Sequence, residues 1–334
     1  MNTRHHLNDF PLLDVCQLSV SFHKQTQTAV DRVSFSVRAG SITGLVGASG
    51  AGKSSIARAI MGLVKTDSGE IRFRGDNILS MPARDLKTIR QRVQMVFQEP
   101  SASLSPRRSI EQSLLEPMQH FCIGDSNHQR KKIQDTLATV GLDADILGRY
   151  PHQFSSGQQQ RIAIARALVT SPDLLIADEV VSSLDVSIQA QILQLIKTLQ
   201  IEHNIAVLFI SHDLAAIAQV ADDIAVMLAG QLLEQSPAEA FFKGPAHPYS
   251  KELLALAGQT SAPELPARQW HLERRLSTAI KSPSCVFSEN CTVKKPLCDQ
   301  QEPPVYEISN RNRHAQARHC VKCYLYDEAS THDL

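Results

Sequence analysis

The chain has 334 residues, 43% hydrophobic and 20% charged, enough to bury a sizeable core, which excludes a disordered chain and a mini-protein scaffold. Lys plus Arg and Asp plus Glu each number 34, so no net field draws nucleic acid or anionic lipid to the whole molecule. Aromatic residues make up 5%, with Trp270 the one tryptophan, too few for the stacking platforms that bind single-stranded nucleic acid.

Residues 12–22 and 33–37 are short, partly alternating runs rich in Val, Leu and Phe and read as antiparallel strands. Residues 42–46 form a continuous apolar run, then a glycine-rich turn and a helical pattern over 54–63. That is a buried strand, a loop and a helix, the opening of an α/β core. Further buried strands are expected at 93–97, 174–177 and 206–210. Between Pro100 and about Thr170 no strand signal occurs, and helices such as 129–140 and 157–168 make the stretch an all-helical insertion. A long amphipathic helix follows at 186–203, then closing strands at 223–228 and 232–234 and a helical stretch at 237–257. After Gln259 prolines and cysteines crowd together, which sets a domain boundary there and divides the chain into 1–258 and 259–334. The N-terminus has no apolar run of signal-peptide type, and nowhere do roughly 18 apolar residues run uninterrupted, as a membrane span needs. The expectation is a cytosolic chain whose clustered thiols point to metal or catalysis before disulfides.

Gly47, Ala48, Ser49, Gly50, Ala51, Gly52, Lys53 and Ser54, with Ser55 next, satisfy GxxxxGK[ST], between a predicted buried strand and a helix, where the mechanism requires the motif. Glycines let the backbone wrap a phosphate chain, whose charge the loop N–H groups and the helix N-terminus hold. Lys53 is expected on the β and γ phosphates and the Ser54 hydroxyl on Mg²⁺. The apolar strand Leu174, Leu175, Ile176, Ala177 ends in Asp178, a carboxylate to reach Mg²⁺, and in Glu179, placed to orient or deprotonate attacking water.

Between these halves stand Phe154, Ser155, Ser156, Gly157, Gln158, Gln159, Gln160 and Arg161, which resemble the signature motif of ATP-binding cassette (ABC) ATPases, usually LSGGQ followed by Gln-Arg. Gln98 resembles the Q-loop glutamine, Ser182 to Asp185 the D-loop, His212 the switch histidine, and Phe22 the aromatic that stacks on adenine. Alone, His212 would read as a capping histidine, Gln98 as a strand-end polar residue and Phe22 as core. The resemblance implies an α/β P-loop NTPase core with an antiparallel β subdomain, a helical insertion and a small cysteine-rich C-terminal domain. It also implies a dimer that sandwiches two ATPs, each held by one subunit's phosphate loop, Gln98, Asp178, Glu179 and His212, with Mg²⁺ on Ser54, Gln98 and Asp178, and by Ser155, Gly157 and Gln158 of the other. The chain departs from the family at Ser156, where a glycine is usual, and at Val180-Val181, where Pro-Thr is usual. The site completed by this signature is therefore expected to be the less efficient one.

The segments from Gln98 to Arg107 and from Gly244 to Tyr249 (Gly-Pro-Ala-His-Pro-Tyr) are similar to those of the oligopeptide, dipeptide and nickel importer branch. That likeness implies an ATPase subunit at the cytoplasmic face of a bacterial inner membrane, energising uptake of peptides, nickel or a small metal-chelating solute. Implied partners are two membrane permeases docking near 101–107, a second and different ATPase subunit, and an extracytoplasmic substrate-binding protein, with no nucleic acid. Cys285, Cys291, Cys298 and Cys323, with His319 and Val321 before the last, resemble the branch's C-terminal region, where four thiolates can hold a [4Fe-4S] cluster. Zinc is the alternative ligand, and free thiols the third reading. Cys320 is extra to the pattern. Two other classes stay open: a non-transport ATPase of nucleic-acid repair or regulation, and a metal- or redox-sensing ATPase.

Overall fold

Burial sorts the strands into two kinds. β1 (Leu13–Ser21) and β2 (Thr28–Val37) alternate buried with more open positions, as strands with one solvated face do, whereas β3 (Ile42–Gly47) is buried at all 6 positions, the mark of a strand covered on both faces. The computed structural model describes residues 11–22, 28–100, 103–182, 184–258, 284–308 and 318–327. After α1 (Lys53–Ile60) come β4 (Ser68–Phe73) and the short β5 (Asp76–Asn77). α2 (Ala83–Arg92), which buries none of its residues, leads into β6 (Val93–Val96).

The next stretch is helical, as its sequence predicts: α3 (Ile110–His120), α4 (Ser126–Thr139) and α5 (Ser156–Leu168). β7 (Leu174–Asp178), α6 (Val186–His203), β8 (Ala206–Ser211), α7 (Leu214–Val220) and β9 (Asp223–Leu228) then alternate strand with helix. α6 starts where Asp185 accepts hydrogen bonds from the N–H groups of Ser187 and Ile188 and stops at Asn204 in the left-handed region, a cap at each end. β10 (Gln231–Pro237) is longer than its apolar signal. The predicted helix over 237–257 is two, α8 (Ala238–Lys243) and α9 (Pro248–Leu256), because Pro245 and Pro248 cannot donate within a continuous helix. β11 (Tyr306–Ile308) and β12 (His319–Val321) close the described chain.

Two compact units share these elements. Of the described residues, one unit takes 11–13, 37–42 and those within 73–209, and holds the helical insertion and the parallel pair β6 and β7, in register from Val93 opposite Leu174 to Val96 opposite Ala177. The other takes the described residues within 14–36, 43–72 and 210–327. In it strands run in the order β11-β12-β10-β9-β3, with β3 and β9 parallel from Thr43 opposite Asp223 to Gly47 opposite Met227, and β9, β10, β12 and β11 antiparallel in sequence. The C-terminal strands thus extend the edge that β10 would otherwise present. The predicted boundary at 259 falls where residues 259–283, Trp270 among them, lie outside the described ones.

Candidate functional site

The phosphate loop is built by close backbone approach. A Cβ on Gly47 would meet the Met227 carbonyl oxygen at 2.1 Å and one on Gly52 the Ala29 carbonyl oxygen at 2.3 Å, so neither position admits a side chain. Gly52 caps α1 in the left-handed region at φ 102 with no side-chain cap hydrogen bond, and a helix N-terminus of this kind suits an anion. Lys53 is buried, its Nζ donating to the carbonyls of Gly47 at 2.8 Å and Ala48 at 2.9 Å. Ser54 and Ser55 are half-buried, Ser49 and Gly50 exposed. The loop has the form a phosphate chain requires. Phe22 and His212, in the same unit, are exposed. The helix cap beside His212 is Asp213, which accepts from Ala215 N–H at 2.8 Å, so the reading of the histidine as a cap fails.

The other unit holds Gln98, the signature segment, Asp178 and Glu179. Asp178 ends β7 at 5% exposure. Glu179 has φ 50, a left-handed backbone uncommon for a residue other than glycine. The Ser182 N–H and hydroxyl both donate to the Glu179 carbonyl, at 3.2 and 3.0 Å, and Gln98 Nε2 donates to the Ser182 hydroxyl at 3.4 Å. Ser182 therefore joins the Q-loop glutamine to the glutamate turn, a link that nothing in its sequence position signals. Val180 and Val181 are each 2% exposed: they anchor the turn in the core in place of Pro-Thr. Of the D-loop, Ser183 lies outside the described residues.

Ser155 is the N-cap of α5. Its hydroxyl accepts from Gln158 N–H at 3.3 Å and the Gln158 Oε1 accepts from Ser155 N–H at 3.1 Å, a reciprocal capping box. Ser156 is exposed in the first turn. A Cβ on Gly157 would stand 2.5 Å from Ile188 Cγ2, so this glycine is required by packing of α5 on α6.

In the unit with the phosphate loop, Cys285, Cys291, Cys298 and Cys323 line one small cavity with His247, Phe287 and Tyr324. Cys320 is outside that lining. Burial pushes the Cys285 thiol up to about 11 and raises those of Cys291 and Cys323, so a cation bound there would displace thiol protons. Among the described residues no group of three or more His, Cys, Asp or Glu side chains is arranged to hold a metal ion as it stands. The cavity gathers four soft donors without closing a ligand sphere. Their kind and enclosure suit a thiophilic centre.

One anchor was missed by sequence reasoning. The Glu234 side chain is fully buried, its carboxylate accepting from Ala246 N–H at 2.7 Å, His247 N–H at 2.8 Å and His319 Nε2 at 2.9 Å. Burial alone would raise its pKa; those hydrogen bonds bring it below the usual carboxylate range. Partners 12, 13 and 85 residues away leave no local pattern.

Residues 30–182 match the family described as ABC transporter, and residues 233–298 match the oligopeptide/dipeptide transporter C-terminal region. The oligopeptide transport ATP-binding protein AppF of Bacillus subtilis is 41% identical over 301 residues, 89% of each chain. YkfD of the same organism, also named for oligopeptide transport, is 39% identical over 328 residues, 96% of this chain and 97% of its own. Among solved structures, cbiO1 of Clostridium perfringens, part of the ABC transporter complex cbiONQ, superposes with TM-score 0.65 at 26% identity, over 79% of this chain and 99% of its own. The dimeric bacterial ABC transporter cassette MJ0796, at 24% identity and TM-score 0.61 over 68% of this chain and 98% of its own, shares the fold.

Proposed function

The chain belongs to the ABC transporter family, in the branch of oligopeptide transport ATP-binding proteins, and from that membership we propose that it hydrolyses ATP to energise uptake of peptides. The observation that carries the substrate class is the likeness to peptide-transport ATPases along nearly the whole chain, the Gly244 to Tyr249 segment included. The partners proposed are two membrane permeases, a second ATPase subunit and an extracytoplasmic binding protein, with the chain held peripherally at the cytoplasmic membrane face. No helix among the described residues is long and apolar enough to cross a membrane, so attachment falls to protein partners, near residues 101–107, of which 101 and 102 lie outside the described ones.

In this reading the uncapped first turn of α1 and Lys53 hold the β and γ phosphates. Ser54, Gln98 and Asp178 hold Mg²⁺, which when bound neutralises charge developing on the phosphate oxygens. Glu179 orients and polarises the attacking water, His212 contacts the γ-phosphate and Phe22 stacks on adenine. Ser155, Gly157 and Gln158 serve the nucleotide of the partner subunit: with both side chains held in the capping box, the helix N-terminus is already oriented when that nucleotide arrives. Cys285, Cys291, Cys298 and Cys323 hold a [4Fe-4S] cluster, zinc being the alternative, as a structural or electronic centre apart from hydrolysis. A strain lacking this gene should lose uptake of labelled oligopeptides and regain it with the wild-type gene but not with Glu179→Gln. Unchanged peptide uptake in the deletion, with loss of nickel uptake instead, would reject peptides as the substrate class.

A further inference from the structure

The segment from Ala246 to Tyr249 stands between two sites of the same unit. His247 lines the four-cysteine cavity and is 1% exposed. Its Nδ1 accepts from the Tyr249 N–H at 3.0 Å. A neutral imidazole with one nitrogen accepting carries its proton on the other. With Nδ1 accepting, Nε2 is the ring's one N–H donor. That nitrogen has no hydrogen-bond partner among the described residues. Glu234, the nearby carboxylate, is occupied by Ala246, His247 and His319. The charged groups acting on the ring are Glu234 and Lys251; the cavity it lines also carries Lys295, Ser288 and Tyr324 beside the apolar side chains and the four thiols. A buried donor in such a place calls for an acceptor; none of the four thiols accepts from it as they stand, and a sulfur-bearing centre held among them would.

On the far side of the same turn, the Tyr249 hydroxyl accepts from the Ala48 N–H of the phosphate loop at 3.3 Å. Tyr249 is 1% exposed, and Phe287 packs edge-on against both rings, at 5.9 Å from His247 and 5.5 Å from Tyr249. Two polar contacts and a shared aromatic partner therefore make a continuous path from cysteine cavity to phosphate loop.

We infer that His247 donates Nε2–H to a sulfur of a metal centre held by the four cysteines, and that the His247-Pro248-Tyr249 turn couples occupancy of that centre to ATP affinity. The inference rests on the reading of Cys285, Cys291, Cys298 and Cys323 as ligands. Both histidine and tyrosine are positioning residues: neither touches nucleotide. Because binding linkage is reciprocal, ATP changes the affinity for metal by the same factor.

The test uses the full chain purified anaerobically, loaded with Zn²⁺ or with ferrous iron plus sulfide, and the same protein stripped by chelator. Metal and sulfide content are measured beside the Kd of a fluorescent N-methylanthraniloyl-ATP. The expected result is a loaded-to-stripped Kd ratio that departs from unity by about fivefold in the wild type, the lower range for coupled sites. In Tyr249→Phe, which deletes only the hydroxyl, metal content should be kept and the ratio should fall to about one. His247→Phe should lose the ratio too, and Tyr249→Phe keeps the test decisive if that variant does not fold. Metal bound with a wild-type ratio near one, or a ratio preserved in Tyr249→Phe, overturns the coupling and leaves the ligand reading intact. Failure of the wild type to bind either metal, with Cys291→Ser behaving identically, overturns both.

Discussion

Replacing Glu234 with glutamine removes the buried charge that ties the loop before α9 to the edge strands β10 and β12. The carboxylate accepts from two main-chain N–H groups and from His319. Glutamine keeps one acceptor oxygen and presents an NH₂ to a donor that had been satisfied. Hydrogen bonds to a charged acceptor contribute about 1.5–3 kcal/mol each, and a buried donor left unpaired costs about 1–3 kcal/mol. The net loss is about 3 kcal/mol, in line with breaking one partner of a buried charged network. Concentrated in one loop, that loss makes exchange of the Ala246 and His247 amides about a hundredfold faster at neutral pH, measured by hydrogen–deuterium exchange on the full chain. The pH dependence follows from the sign of the shift. Folding lowers the Glu234 pKa, so its contribution is complete above the unfolded value, about 4.3, and is lost as pH falls from there through the folded value. Wild-type protection should therefore fall on acidification below about pH 4.3 more steeply than that of Glu234→Gln. Amide exchange within twofold of wild type at both residues would refute the account.

Other expectations concern hydrolysis. Glu179→Gln should lower ATP turnover by about a hundredfold or more, the range for losing a general base, with nucleotide affinity preserved; unchanged turnover in the assembled transporter would exclude Glu179 as the group acting on water. Ser156→Gly should raise turnover of the assembled transporter severalfold by clearing a side chain from an exposed first-turn position, and an unaltered rate would remove Ser156 as the cause of any asymmetry between the two sites. Gly157→Ala should destabilise by about 1–3 kcal/mol through the collision with Ile188. Adding Ile188→Ala should recover stability in urea unfolding without recovering ATPase if the glycine also serves the partner's nucleotide; full recovery of both would make its role packing alone.

The parts legible in the sequence are those where one physical requirement dominates a short stretch. β3, β7, β8 and β9 are buried on both faces and read as unbroken apolar runs, and α6 spans the residues its periodicity marks, 186–203. The phosphate loop is legible because close backbone approach at Gly47 and Gly52 excludes other residues. β4 and α2 escape because neither carries a sustained apolar pattern: β4 opens on exposed Ser68 and Gly69, and α2 buries none of its residues. The left-handed backbone of Glu179 has no glycine to announce it; its geometry comes from Ser182 and from two valines drawn into the core. β11 and β12, of 3 residues each, are too short to show any period. Their place is set by pairing with β10, and Glu234 by partners far along the chain.

That edge pairing bears on any attempt to shorten the protein. β12 occupies the side of β10 from Glu234 opposite Val321 to Gln235 opposite Cys320. A fragment ending at residue 258 keeps every nucleotide motif yet uncovers a row of unpaired backbone donors and acceptors beside a carboxylate that has lost His319. Open strand edges recruit other chains, so the minimal cassette cut at the apparent domain boundary should precipitate or self-associate. A minimal fragment that stays in solution would need to carry the tail through β12, however dispensable for ATP the sequence motifs make it look.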